Sequence, residues 1–179
     1  MLRLFVALPI PAALAERLAL LGGGIPGARW VAPETMHITL RFIGEVAEAD
    51  AEDIGHALSR VTARGFDVEI AGVDTFGQGR KARAIYARVA LTPELEILQG
   101  RVEAAVAVAG QPRETRKFVP HVTLARLNNA NSERLQYFIE GNSLLRVPPF
   151  RAEEFVLYDS RTGNGGPVYE PLAEYSLAD

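Results

Sequence analysis

The chain has no cysteine, and this absence excludes disulfide bonds, thiolate nucleophiles and sulfur-ligated zinc. It fits a reducing compartment, so we expect a cytoplasmic protein. Long apolar runs are also missing, because no window approaches the roughly 18 continuous apolar residues of a membrane span. The opening MLRLFVALPIPAALAERL reaches two prolines before any such run, and it is typical of a strand entering a helix, not of a signal peptide.

An excess of positive charge is missing as well, since the formal net charge is -3. That balance usually argues against a nucleic-acid partner, because phosphate binding needs local positive charge. Arginine and lysine nevertheless cluster in GRKARAIYAR (79–88) and RETRKF (113–118). The 179 residues, 48% of them apolar, predict one globular body, and we expect a monomer.

Histidine is scarce, but two of the three histidines share one motif. His37 and His121 both stand in the frame His-x-Thr-Leu. A single such pair on a strand is more often structural than functional, whereas chance places threonine two residues after two of three histidines in only roughly 0.6% of such sequences. The structural alternative is that a duplicated fold has kept these residues for packing. His56 lacks the threonine and is predicted to be a partly exposed helical residue.

The sequence around the two motifs follows the same order. His37 and His121 lie 84 positions apart, and each is preceded by a strand-like run and a helical segment. A second helical segment and two strand-like runs across a glycine-rich turn follow each motif. In the longest predicted helix, Thr92 is the N-cap, Pro93 the first helical residue and Gly110 the stop.

This repetition predicts an α+β fold of two pseudo-symmetric lobes, each with an antiparallel sheet and helices, and a groove between them. No linker-like run separates the halves, so residues 1–179 are predicted to form a single bilobal domain with an internal duplication. The motif strands lie near 36–42 and 120–126. Alternate side chains of a strand face opposite ways, so the histidine and threonine of each motif share one face, which is predicted to line the groove.

The paired motifs resemble the 2H phosphoesterase superfamily. The segments RLFVALPIP, MHITLRFIGEV, FVPHVTLAR and LYDSRTGNGGPVYEPL resemble its RNA 2',3'-cyclic phosphodiesterase branch, also called 2'-5' RNA ligase. The resemblance implies no metal cofactor, and hydrolysis of RNA ends with a 2',3'-cyclic phosphate to a 2'-phosphate, with a reverse joining reaction. The family's catalytic residues carry over onto His37, Thr39, His121 and Thr123, and the arginine after the second motif onto Arg126. His37 is given the acid role and His121 the base role.

Two histidines suit that chemistry. Water attack needs one group to accept a proton and another to protonate the departing sugar oxygen, and imidazole does either near neutrality. In-line displacement requires the two on opposite sides of phosphorus, and two facing lobes provide this geometry. Threonine hydroxyls are expected to donate to phosphate oxygens, with Arg126 adding a charged contact. Strand parity places Arg126 on the core face, however, so it reaches the groove only if the strand ends or bulges near Ala125.

Two further side chains are candidates for substrate contact. Parity places Arg41 on the face of His37 as an extra phosphate contact, with a solvated surface arginine as the equal alternative. Phe118 is a candidate for base stacking at the groove edge, with a core position as the favoured alternative. No acidic residue or third histidine stands at ligand spacing beside either motif, so we expect no metal site. The alternative functions are a non-catalytic RNA-end-binding module and a phosphodiesterase for another small cyclic phosphate.

Overall fold

The computed structural model describes all 179 residues as ten β-strands and four α-helices, with two short 3-10 turns. In chain order these are β1 (Leu2–Pro9), α1 (Ala12–Ala19), β2 (Ala28–Trp30), β3 (His37–Val46), α2 (Glu48–Ser59), β4 (Phe66–Val68), β5 (Ile70–Phe76), β6 (Ala84–Val89), α3 (Pro93–Val108), β7 (His121–Leu127), α4 (Ser132–Gly141), β8 (Phe150–Ala152), β9 (Glu154–Gly163) and β10 (Gly166–Ser176). None of the four helices combines the length and the apolar character that crossing a bilayer requires.

The two motif strands lie at the centre of the main sheet. Its order is β10-β9-β1-β3-β7-β6-β5, all antiparallel, with β2 paired to the side of β7. The hydrogen-bonded ladder between β3 and β7 has a single residue pair, Ile38 and Val122. The sheet therefore divides there into two antiparallel half-sheets, one for each lobe, and the predicted α+β fold of two lobes is confirmed.

The lobes do not coincide with the two halves of the chain. β9 and β10, from the second half, complete the lobe of β1 and β3, whereas β5, from the first half, completes the lobe of β6 and β7. The remaining strands, β4 and β8, pair with Asp67 opposite Arg151. This pair and the pair of Ile38 with Val122 both join positions 84 residues apart, as a twofold relation between the halves requires. The strand exchange ties the two halves together.

Helix α3 illustrates how local sequence produces these elements. Its N-cap is Thr92, whose hydroxyl accepts the backbone N–H of Leu95 at 3.3 Å, and Pro93 is its first residue. Beyond the helix end, Gly110 has a φ of 96°, a conformation that favours glycine. The predicted start and stop are thus confirmed. One stripe of the helix enters the core at helical spacing: Leu95, Leu98, Val102 and Val106.

Candidate active site

The groove between the two half-sheets is lined by the polar faces of the motif strands. His37, Thr39, His121 and Thr123 are all partly buried and border one cavity of about 300 Å³. The intervening residues of each motif are buried in the core, as strand alternation predicts. The structure therefore brings the two motifs together in one cavity, although they lie 84 positions apart in the sequence.

Both imidazoles are oriented by the backbone in the same way. Nδ1 of His37 lies 2.8 Å from the carbonyl oxygen of Thr35, and Nδ1 of His121 lies 2.6 Å from that of Val119. A carbonyl only accepts, so Nδ1 carries the hydrogen in each ring, and in the neutral ring Nε2 keeps its lone pair. Nε2 of His37 lies 3.0 Å from Oγ1 of Thr39, whose hydroxyl donates to it. Each histidine therefore has Nε2 as its exchangeable position for a proton.

Burial lowers the pKa of both histidines. For His37, desolvation is the main cause; the carbonyl of Thr35 opposes it, and the charges of His121 and Arg126 lower the pKa further. For His121, desolvation again dominates, the carbonyl of Val119 opposes it, and Arg126 adds to the lowering. The neutral imidazole is thus favoured at both sites in the free protein. Arg126 is the one cation that acts on both rings.

Each histidine also packs between two aromatic rings that the His-x-Thr pattern does not predict. The ring centroids lie between 4.8 and 5.4 Å from those of the histidines. The neighbours are Phe5 and Tyr169 for His37, and Phe76 and Tyr86 for His121. Phe5 and Tyr169 had a signal in the sequence, since they stand in the opening and closing segments that carry the family resemblance. These rings limit the rotation of the imidazoles and desolvate them.

Arg126 reaches the groove because β7 contains a bulge. Thr123 pairs with Tyr86 and Ala125 with Ile85, so Leu124 is an extra residue without a partner. Leu124 and Ala125 are consequently both buried, and the following side chain, Arg126, returns to the face of the histidine. Arg126 was predicted to reach the groove only if the strand ended or bulged near Ala125, and the bulge lies at the preceding residue, Leu124.

The parity prediction for Arg41 is wrong, and the cause is a matching bulge in β3. Thr39 pairs with Ala7 and Arg41 with Val6, which leaves Leu40 as the extra residue. Arg41 is therefore turned away from the face of His37 and is only 7% exposed. It forms an ion pair with Glu103, and its other guanidinium nitrogens donate to the carbonyls of Pro112 and Phe42. Arg41 still borders the groove beside Phe42, but each of its guanidinium nitrogens already has a partner within the protein.

The groove has two arms that meet at the threonine pair, His121 and Arg126. One arm, called the enclosed arm, is the cavity of about 300 Å³, and both histidines border it. The second arm, called the open arm, is bordered by His121 but not by His37. The enclosed arm is closed by Trp30, by Tyr169 and by the glycine-rich turn between β9 and β10. Trp30 packs against the core and also lines this arm.

The open arm has a volume of about 490 Å³ and lies on the side of His121. Phe118 is partly buried, packs against the core and lines this arm, so its position is compatible with both roles considered for it. Cations and other aromatic rings share the lining, among them Phe42, Phe76, Arg83 and Lys117. No group of three or more histidine or carboxylate side chains is arranged to hold a metal ion.

Two lobes that each present a His-x-Thr strand to a shared groove define the class of 2H phosphoesterases. Comparison with known proteins gives the family. The model of the LigT-like phosphoesterases matches residues 8–86 and 89–169, and the chain belongs to this family.

Curated relatives and solved structures agree with this membership. The RNA 2',3'-cyclic phosphodiesterase of Aeropyrum pernix is 32% identical over 157 residues, 87% of this chain and 89% of the relative. The RNA 2',3'-cyclic phosphodiesterase of Archaeoglobus fulgidus is 30% identical, and the alignment covers 96% of this chain and 98% of the relative. Escherichia coli LigT complexed with 3'-AMP superposes with a TM-score of 0.77 at 26% identity over 99% of each chain. The protein TT0787 of Thermus thermophilus gives 0.73 at 28% identity over 97% of each chain.

Proposed function

We propose that this protein is a metal-independent RNA 2',3'-cyclic phosphodiesterase, which opens a terminal cyclic phosphate to a 2'-phosphate. One observation carries the proposal. Two histidines, each with Nδ1 bound to a backbone carbonyl, face one cavity together with two threonines and Arg126. Side chains of the chain itself thus supply a proton acceptor, a proton donor and phosphate contacts. The relatives that carry this activity by name are similar over most of their length.

The reaction proceeds as one in-line displacement at phosphorus. A water oxygen attacks phosphorus while Nε2 of His121 accepts its proton, and the bond from phosphorus to the 3'-oxygen breaks. His37, protonated on Nε2 as well as Nδ1, gives its Nε2 proton to that oxygen. The product is a 2'-phosphate with a free 3'-hydroxyl. Exchange of one proton with solvent at each ring restores the starting state.

The remaining groups stabilise the charge that develops on phosphate. The hydroxyls of Thr39 and Thr123 donate to the non-bridging oxygens, and Arg126 adds a charge-assisted contact. Because His37 is buried beside positive charge, its protonated form is disfavoured in the free protein. The anionic substrate offsets that effect, since a negative charge beside the ring favours the imidazolium.

The direct test is incubation of purified protein, in the presence of EDTA, with RNA that ends in a 2',3'-cyclic phosphate. We expect a 2'-phosphate as the only new end. Activity that vanishes with chelator and returns with one divalent ion would refute the mechanism. Binding without turnover would favour the RNA-end-binding module, and turnover restricted to another small cyclic phosphate would favour the altered substrate. The joining reaction is tested with a 5'-hydroxyl oligonucleotide, whose 5'-oxygen attacks the cyclic phosphate in place of water.

The division of roles has a separate test. A cyclic phosphate with sulfur in place of the 3'-oxygen has a leaving group that needs little protonation. It should largely restore turnover in His37→Ala and do little for His121→Ala, because only the acid becomes dispensable. Rescue of His121→Ala instead would exchange the two roles and leave the two-histidine mechanism in place.

A further inference from the structure

The open arm contains more positive charge than the reacting phosphate needs. Arg83 and Lys117 line it, both are exposed, and neither forms an ion pair with a carboxylate. Arg116 lies at the same rim, but Glu114 neutralises it through a bond of 3.1 Å and has its own pKa lowered to about 2 by this contact. The unpaired charges of Arg83 and Lys117 therefore remain available for an external anion.

Aromatic rings line the arm together with these cations. Phe42 is 43% exposed, and Phe76 and Phe118 are partly buried in the same lining. A groove that combines cations with aromatic faces is typical of sites for single-stranded nucleic acid, because the cations follow the phosphates and the rings stack on bases. The enclosed arm differs, since it is smaller and closed by the turn between β9 and β10. Its volume of about 300 Å³ is that of a site for one small ligand.

We infer that the open arm binds the sugar-phosphate chain of RNA beyond the reacting nucleotide, with Arg83 and Lys117 as phosphate contacts and Phe42 and Phe118 as stacking surfaces. This inference rests on the proposed function. The chain bound there has two sources, the upstream part of the cyclic-ended RNA itself or the 5'-hydroxyl strand that replaces water in the joining reaction. Both offer the same phosphodiester chemistry to the arm.

The loop that carries half of this surface is attached to the core by the Arg41 ion pair. Glu103 accepts both from Arg41 and from the backbone N–H of Glu114, the latter at 2.8 Å, and Arg41 donates to the carbonyl of Pro112. The segment leading to Lys117 and Phe118 is thereby held beside β3. These bonds fix the surface of the open arm before ligand binds. Binding is favoured because the loop then loses less conformational entropy.

The test compares substrates of different length in Arg83→Gln and Lys117→Gln. We expect each variant to raise the KM for a cyclic-ended oligoribonucleotide roughly fivefold and to leave kcat/KM for the cyclic mononucleotide unchanged. If the arm holds the incoming strand instead, oligonucleotide hydrolysis stays normal and only joining to a 5'-hydroxyl oligonucleotide falls. Unchanged KM values in both reactions, or equal losses with mononucleotide and oligonucleotide, would overturn the inference. Arg60→Gln is the matched control, because it removes the same charge outside both arms.

A binding readout separates this inference from the proposed function. Fluorescence anisotropy with a 2'-phosphate-ended oligoribonucleotide needs no turnover, so it reports on the arm even if hydrolysis is absent. The logarithm of the binding constant should fall with the logarithm of salt concentration, and each variant should reduce that slope by about 0.7, the value for one phosphate contact on a single strand. The same measurement is made with a 5'-hydroxyl oligoribonucleotide that lacks the 2'-phosphate, and a slope that is unchanged in both variants with both probes would refute the inference, whatever the activity.

Discussion

β3 and β7 carry the same motif and the same bulge, yet they deliver different side chains to the groove. In both strands the residue three positions after the histidine is the extra one, so the residue five positions after it returns to the histidine face. That residue is Phe42 in β3 and Arg126 in β7. The residue before it enters the core, and it is Arg41 in one strand and Ala125 in the other.

This difference shows how a nearly symmetric scaffold forms an asymmetric site. One arginine on the histidine face gives the groove a single cation that acts on both rings. In β3 the arginine, Arg41, stands one position earlier relative to the histidine, and its side chain is buried. It is stable there only because Glu103 and two carbonyls satisfy its guanidinium. A shift of one residue thus separates a site residue from a structural one.

The largest expected effect tests the symmetry of the two motifs. His37→Ala and His121→Ala should each lower kcat at least about 100-fold, since general acid or base catalysis typically contributes roughly 10²- to 10⁴-fold. Steady-state hydrolysis of a cyclic mononucleotide measures the loss, and product binding should persist in both variants. His56→Ala is the control, and its kcat should be nearly unchanged. Equal and mild losses in all three would contradict the catalytic role of the motif pair.

The next effect concerns stability and tests the difference between Arg41 and Arg126. Arg41→Ala leaves the carboxylate of Glu103 buried without its partner, and we expect the free energy of unfolding to fall by about 3 kcal/mol. Urea denaturation measures this change. Arg126→Ala should leave stability nearly unchanged because that side chain is exposed. The double variant Arg41→Met, Glu103→Leu should recover part of the loss, and a failure to recover would assign the loss to the bonds with Pro112, Phe42 and Glu114 and not to the unpaired carboxylate.

A smaller effect on turnover tests whether either strand can supply the groove cation. Arg126→Gln should lower kcat for a cyclic mononucleotide roughly 10- to 100-fold, since a hydrogen bond to a charged group contributes about 1.5–3 kcal/mol. Phe42→Leu should change kcat little. The double variant Phe42→Arg, Arg126→Gln should regain part of the lost activity, because the two positions are related by the twofold. No regain would mean that the phosphate lies closer to β7 than the pseudo-symmetry implies.

The smallest effect is on pH dependence. Both histidine pKa values are lowered by burial, so both limbs of the kcat/KM profile shift to lower pH, and the optimum should lie below the ordinary histidine value of 6.5. The two limbs belong to the coupled pair and not to single residues. Arg126→Gln removes a positive charge that lowers both pKa values, so its profile should move toward higher pH. A shift in the opposite direction would contradict the electrostatic role of Arg126.

The sequence alone determined the parts that depend on local pattern. Two His-x-Thr motifs 84 positions apart, a capped helix after Thr92 and the alternation within each motif were sufficient to predict the lobes and the family resemblance. Alternation is a property of consecutive residues in an extended chain, so it holds from His37 to Thr39 without reference to any other strand. The same holds for His121 and Thr123.

Tertiary structure decided everything that depends on the partner strand. A bulge exists only relative to a neighbour, and here β1 and β6 leave Leu40 and Leu124 unpaired and so reverse the parity of the residues that follow. That reversal brought Arg126 into the groove and buried Arg41. The exchange of β5 and β9 between the lobes likewise placed Phe76 beside His121 and Phe5 next to Tyr158. The sequence did not predict these contacts, because strand pairing across long sequence separations is not encoded in any local period.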